Sequence, residues 1–188
     1  FEVDHRGDDG QFMLTGSAVP TDDSMIHHTG TGRFAWLTMR PMTLWESGES
    51  TGDVSLGKLF ENAEMVEGES HLSLEDVAFA TCRGGWPKAI NKKSTKAALG
   101  QAKEYYEAIT RSDISRVDGV SRDEQRTKRL MRSYARLQGT MAPIPTIVED
   151  LKTNEPERMS DETVASYIKA LKKIFVIEDM EAWNPNLR

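Results

Sequence analysis

Gln11-Phe-Met-Leu-Thr-Gly-Ser17 and, after a gap, Arg33-Phe-Ala-Trp-Leu-Thr38 are the two stretches whose reading decides the fold. Their apolar residues, Phe12 to Leu14 and Phe34 to Leu37, run without alternation, as in strands covered on both faces. The first run closes on Thr15-Gly16-Ser17, small hydroxyl residues where a strand of a parallel sheet points at its ligand. The second follows the turn Thr29-Gly-Thr-Gly32 and starts at Arg33, a cation at a loop edge. Such a pair suits the far half of a nucleotide-binding sheet. The near half would carry a phosphate loop, yet G-x-x-x-x-G-K-[ST] does not occur in the sequence. Gly57-Lys58-Leu59 comes nearest and lacks both the first glycine and the final hydroxyl. The expectation is therefore a piece of a larger protein, with Phe1 and Asn184-Pro-Asn-Leu-Arg188 read as cut ends.

Outward from these strands, Pro41 to Gly48 reads as a short helix ending in glycine, and residues 48–72 are rich in Gly, Ser and Glu. A helical turn or two is expected at Ser55-Leu-Gly-Lys-Leu-Phe60. The domain boundary is placed in this stretch, giving an incomplete first part at 1–48, a linker at 49–72 and a mainly helical domain at 73–188. Ser73-Leu-Glu-Asp76 resembles a capping box and starts a helix that should stop at Gly84-Gly85. Leu99, Ala102, Tyr106 and Ile109 recur at helical spacing between Lys96 and Ser112. Leu130, Tyr134 and Leu137 do so between Ser121 and Leu137, opposite a row of arginines. Pro143 to Lys152 turns Ile144, Ile147, Val148 and Leu151 inward. Ser160 caps a last helix with the stripe Val164, Ile168, Leu171 and Phe175, and Val176 to Trp183 reads as a final strand.

The 188 residues carry a net charge of −6, unevenly spread. Residues 1–76 hold 15 acids and 4 bases, whereas residues 77–188 hold 15 acids and 20 bases. That polarity predicts two regions with different surfaces and makes the second a candidate for nucleic-acid contact. No apolar run approaches the ~20 residues of a membrane span, so no membrane partner is expected. The single cysteine, Cys82, excludes an intrachain disulfide and fits a reducing, cytoplasmic setting. One Cys and four His do not give the usual spacing of a structural zinc site.

Three runs carry a family resemblance. They are Gly10-Gln-Phe-Met-Leu-Thr-Gly-Ser-Ala18, Gly-Arg33-Phe-Ala-Trp-Leu and Arg40-Pro-Met-Thr-Leu-Trp-Glu-Ser47. Together they resemble the distal part of a prokaryotic AAA-type P-loop ATPase core. The downstream segment, with Arg83-Gly-Gly-Trp-Pro87, Leu130 to Arg136 and the helical pair at 143–152 and 160–175, is similar to the domain of unknown function that follows such a core. The resemblance implies an α/β fragment, the last two strands of a P-loop-type sheet, followed by a mainly α region. That region ends in a winged-helix-like unit at about 122–183. It implies ATP and magnesium in the parent protein, and no ATP hydrolysis by this chain alone.

Site candidates follow from the same reading. Thr15 and Ser17 match the sensor position that orients the attacking water, against the plainer reading of a strand-ending turn. Arg33 matches an arginine that reaches a neighbour's γ-phosphate, against a surface pair with Asp22 or Asp23. His27-His28 point apart on a helix and converge poorly on one ion. Arg122, Arg126 and Arg129 share a helix face and, with Lys169, Lys172 and Lys173 on the last helix, form a weak nucleic-acid-binding candidate. Against it, Glu155, Glu157, Asp161 and Glu162 would repel DNA where a recognition helix normally enters the groove. Cys82 has no base beside it in sequence and is no nucleophile candidate. The function expected first is that of an ATPase fragment. A nucleic-acid-binding winged-helix module and a protein-interaction scaffold are the alternatives. Two strands alone bury little surface, so the first part is expected to pack on the helical region, on a second copy or on residues cut away, and a homo-oligomer is expected if it is well ordered.

Overall fold

The computed structural model describes residues 10–16, 35, 37–62 and 66–180. Among them every regular element is a helix, and none is a strand. In chain order these are α1 (Leu56–Glu61), α2 (Leu74–Arg83), α3 (Pro87–Ile90), α4 (Thr95–Ala108), a π-helical segment (Ile109–Asp113), α5 (Ile114–Arg116), α6 (Glu124–Arg136), α7 (Ile144–Asn154) and α8 (Asp161–Lys173). The chain divides into two compact units, Thr29–Ala108 and a second made of Phe1–His28 with Ile109–Arg188.

This overturns the α/β expectation. Residues 10–16 are irregular, and Phe12, Met13 and Leu14 are 67%, 89% and 79% exposed rather than buried between helices. Leu37, from the second expected strand, and Met39 just after it are 90% and 83% exposed. A short apolar run has no periodicity of its own to distinguish strand from coil. Without neighbouring strands to complete its hydrogen bonds, it has nothing to hold it extended. The winged-helix-like unit is corrected for the same reason: residues 176–180 form no strand, so the helices at 124–173 have no wing among the described residues.

The helices start where local chemistry directs. Ser73 and Asp76 close a full capping box: the Ser73 hydroxyl accepts from the Asp76 amide while the Asp76 carboxylate accepts from the Ser73 amide. Ser55, Asp123 and Ser160 cap α1, α6 and α8 by accepting from Lys58, Arg126 and Thr163 amides. Pro143 precedes α7, where its missing N–H costs nothing. α2 ends at Gly84, whose φ of 72° suits glycine. α8 ends differently. Phe175 stands at φ 57° while Val176 N–H donates to Leu171 O and Phe175 N–H to Lys172 O, a Schellman closure with an aromatic residue in the usual glycine place.

The two units differ in how much core they hold. In Ile109–Arg188, α6, α7 and α8 pack on one another, with the π segment and α5 against them. Leu130, Ile147, Val148, Leu151, Val164 and Leu171 are buried at their centre, and Thr127 and Ser133 are buried on α6 beside Leu130. In Thr29–Ala108, α2 and α3 pack on α4, and only Arg83, Ala89 and Ala98 are buried among the described residues. That unit is held by polar clasps. Met42 N–H donates to Gly85 O at 2.7 Å, an approach so close that a Cβ on Gly85 would meet Met42 O at 2.2 Å. Arg83 forks onto Glu49 at 2.7 and 2.8 Å, and its guanidinium lies 5.6 Å from the Phe79 ring centroid. Trp86 packs on Tyr105 with ring centroids 4.4 Å apart.

Candidate functional site

α6 has four apolar or aromatic residues in thirteen, so its buried stripe is built around Leu130 with small Thr127 and Ser133, and arginines take much of the rest. The arginines at 126, 129, 132 and 136 step by three and four residues, which places them near one another along the helix. Glu155 and Glu157, in the link after α7, and Asp150 on α7 face them. Arg126 and Arg129 both hold Glu157. Arg132 forks onto Glu155 at 3.1 and 2.6 Å. Arg136 donates to Asp150 at 2.6 Å and reaches Glu155 at 3.5 Å. Each acid is held below the usual carboxylate range by these guanidinium groups: Glu157 chiefly by Arg126, Glu155 chiefly by Arg132 and Asp150 chiefly by Arg136. The cationic face is thus neutralised within its own unit. Of the acids expected to repel DNA, Glu155 and Glu157 are the arginines' partners.

Arg122 is not on that face. It precedes α6, its side chain is 2% exposed, and it forks onto Asp118 at 2.7 and 2.8 Å. It also donates to Ile114 O at 2.9 Å and sits 5.7 Å from the Tyr167 ring centroid. The Tyr167 hydroxyl in turn accepts from the Asp123 amide at 3.0 Å, so Arg122 ties α5, the start of α6 and α8 together. Asp118 is pulled down to about 2 by the Arg122 fork. A side chain buried in this way is unavailable to a phosphate backbone.

The lysines of α8 have a different setting. Lys169, Lys172 and Lys173 rim an open groove of about 470 Å³ whose floor is Ile144, Ala165 and Ile168. Ile144 opens α7, so the groove lies between the first turn of α7 and the C-terminal half of α8. Lys172 pairs with Asp179, which also accepts from the Tyr134 hydroxyl at 3.0 Å. Lys169 is exposed, and neither it nor Lys173 has an ion pair among the described residues. The lysine stems extend the apolar floor and leave their ammonium groups at its edge.

The structure therefore brings Lys169, Lys172 and Lys173 to one groove and Arg126 and Arg129 to one acid, while Arg122 is buried on Asp118, whose carboxyl Lys173 also helps to lower. Thr15 lies exposed in irregular chain, away from any strand end. Ser17, Arg33, His27 and His28 lie outside the described residues. Among the described residues no three His, Cys, Asp or Glu side chains gather to hold a metal ion, and no helix is long and apolar enough to cross a membrane. Cys82 is an exposed thiol. Sequence reasoning missed the groove floor because Ile144 reads as one more inward residue of α7. Only its place at the helix's open end distinguishes it from buried Ile147 and Val148.

A family model described as a domain of unknown function (DUF8612) matches residues 74–188, from the first residue of α2 onward. No curated protein and no solved structure matches the chain.

Proposed function

The chain belongs to this family of domains of unknown function, and we propose that its helical unit Ile109–Arg188 is a protein-interaction module. Its binding site is the groove between α7 and α8, and its ligand is an amphipathic, acidic protein segment. One observation carries this reading: the arginines of α6 are paired within the unit, while Lys169, Lys172 and Lys173 ring an apolar floor. Nucleic acid is bound by dense, unpaired cations along a polar surface. An apolar floor with a cationic rim suits a helix that presents apolar anchors on one face and acids beside them. Nothing among the described residues favours the ATPase-fragment reading, whose core runs lie between Gly10 and Ser47.

Fluorescence polarisation on the full chain tests the proposal. The first probe is a labelled acidic amphipathic peptide with leucine and phenylalanine at helical spacing, and the second is a labelled DNA duplex. The peptide is expected to bind with micromolar affinity and to weaken about tenfold or more when Ala165→Asp places a charge on the floor. The duplex is expected not to bind even at low salt. Duplex binding that falls steeply with salt, alongside an inert peptide, would favour the nucleic-acid module instead.

A further inference from the structure

Resting on the reading of the α7–α8 groove as a site for an acidic segment, we infer that residues 176–180 are an autoinhibitory strap, whose Asp179 holds the rim lysine Lys172 in competition with that ligand. Strap, helices and groove all belong to the unit Ile109–Arg188.

The chain turns back directly after α8. Phe175 N–H donates to Lys172 O and Val176 N–H to Leu171 O, both at 3.0 Å, with Phe175 at φ 57°. A bulky side chain in the left-handed region is strained, and such strain gathers where a segment switches. Past the turn, Val176 and Ile177 are half-buried and face Met131, Tyr134, Ala135 and Leu171 around a hollow of about 320 Å³. An apolar pair that reaches its seat without filling it forgoes part of the packing contact. Asp179 then closes the strap. It accepts from the Tyr134 hydroxyl at 3.0 Å and pairs with Lys172.

Lys172 belongs to both arrangements. It lines the groove with Lys169 and Lys173, and its ammonium holds the strap. The strap also offers what the ligand would offer: Val176-Ile177-Glu178-Asp179 sets acids beside apolar side chains. The clasp is light. The Lys172 and Asp179 side chains are 40% and 59% exposed, and a pair so open to solvent shifts an equilibrium by about fivefold or less. A ligand of micromolar affinity can displace such a hold. Until it does, apparent affinity is lowered in proportion to the fraction of molecules with Lys172 engaged.

Fluorescence polarisation of the labelled acidic amphipathic peptide on the full chain tests this at about 0.15 M salt, where the Debye length is ~8 Å. Asp179→Asn is expected to bind the peptide about two- to fivefold more tightly than the wild type. Tyr134→Phe loosens Asp179 without altering any charge, and should raise affinity about twofold. On top of Asp179→Asn it should add nothing further, since both changes release the same strap. Far-ultraviolet circular dichroism checks that each variant keeps its helices. A second readout follows the strap itself. Tyr134 lines the hollow under the strap and not the α7–α8 groove. Saturating peptide should therefore move the Tyr134 ring signal of ¹³C-tyrosine-labelled protein towards its position in Asp179→Asn.

A peptide that binds neither the wild type nor Asp179→Asn overturns the groove reading and the strap together. Equal binding by the wild type and both variants overturns the strap alone and leaves the groove as a binding site. A gain in Asp179→Asn with none in Tyr134→Phe assigns the effect to the lost charge near the rim and also overturns the strap. So does a Tyr134 signal that stays in place at saturation.

Discussion

Arg122 shows how a residue's surroundings determine its use. Its fork onto Asp118 and its contact with the Tyr167 ring fix a guanidinium among α5, α6 and α8. A lysine cannot reproduce the two parallel bonds or the planar stacking. Asp118 is held at about 2, below the ~3.9 of a free aspartate, so its stabilising contribution is complete above about pH 4 and is lost as pH falls towards 2. Arg122→Lys should let Asp118 titrate closer to its ordinary value and should lower stability at neutral pH by about 1–2 kcal/mol. Carbon-detected carboxyl titration by NMR reads the first effect, and urea unfolding at pH 7 and pH 3 reads the second. At pH 3 the gap between variant and wild type should narrow, because the contribution of the ionised Asp118 that the variant lacks is then being lost from the wild type as well.

At the scale of elements, α6 and the acids from Asp150 to Glu157 act as one electrostatic seam. Glu157 accepts from both Arg126 and Arg129, and its side chain is 42% exposed, so solvent weakens each bond. Glu157→Lys should lower the urea midpoint by repelling both arginines. Adding Arg126→Glu should recover about half of that, an interaction that a double-mutant cycle on urea midpoints resolves. Several helices were legible from sequence because each announces its own beginning: Ser73, Ser160 and Pro143 stand where α2, α8 and α7 start. The stripe Val164, Ile168 and Leu171 is buried as its spacing predicts, but Phe175 is not, because α8 has already ended at Lys173. Two stretches failed for a shared reason. The runs at 11–16 and 176–180 signalled strand through short apolar composition, which local residues alone cannot distinguish from exposed coil. The pairing of arginines with Glu155 and Glu157 was hidden because it depends on α6 and α7 lying side by side.

For the whole molecule, the contrast in burial between the two units sets the order of opening. Ile109–Arg188 encloses a cluster of leucine, isoleucine and valine, whereas Thr29–Ala108 buries two alanines and an arginine among its described residues. Local stability follows buried apolar contact. Hydrogen–deuterium exchange on the full chain should therefore show amides of α2 and α4 exchanging at least about tenfold faster than those of α6 and α8. Equal protection would mean that the Arg83–Glu49 and Gly85–Met42 clasps stabilise their unit as well as an apolar core does. The candidate groove was the least legible feature. Ile144, Ala165 and the three lysines come from two helices, and only their packing makes a floor and a rim.

The arginine seam also constrains how this domain can diverge. Arg126 and Arg129 share Glu157, and Arg132 and Arg136 both reach Glu155, so a sign change at any one position leaves like charges facing each other. Across related sequences, positions 126, 129 and 157 should therefore vary as a linked set, as should 132, 136, 150 and 155. Lys169 and Lys173, which take no part in the seam, should drift independently of both sets.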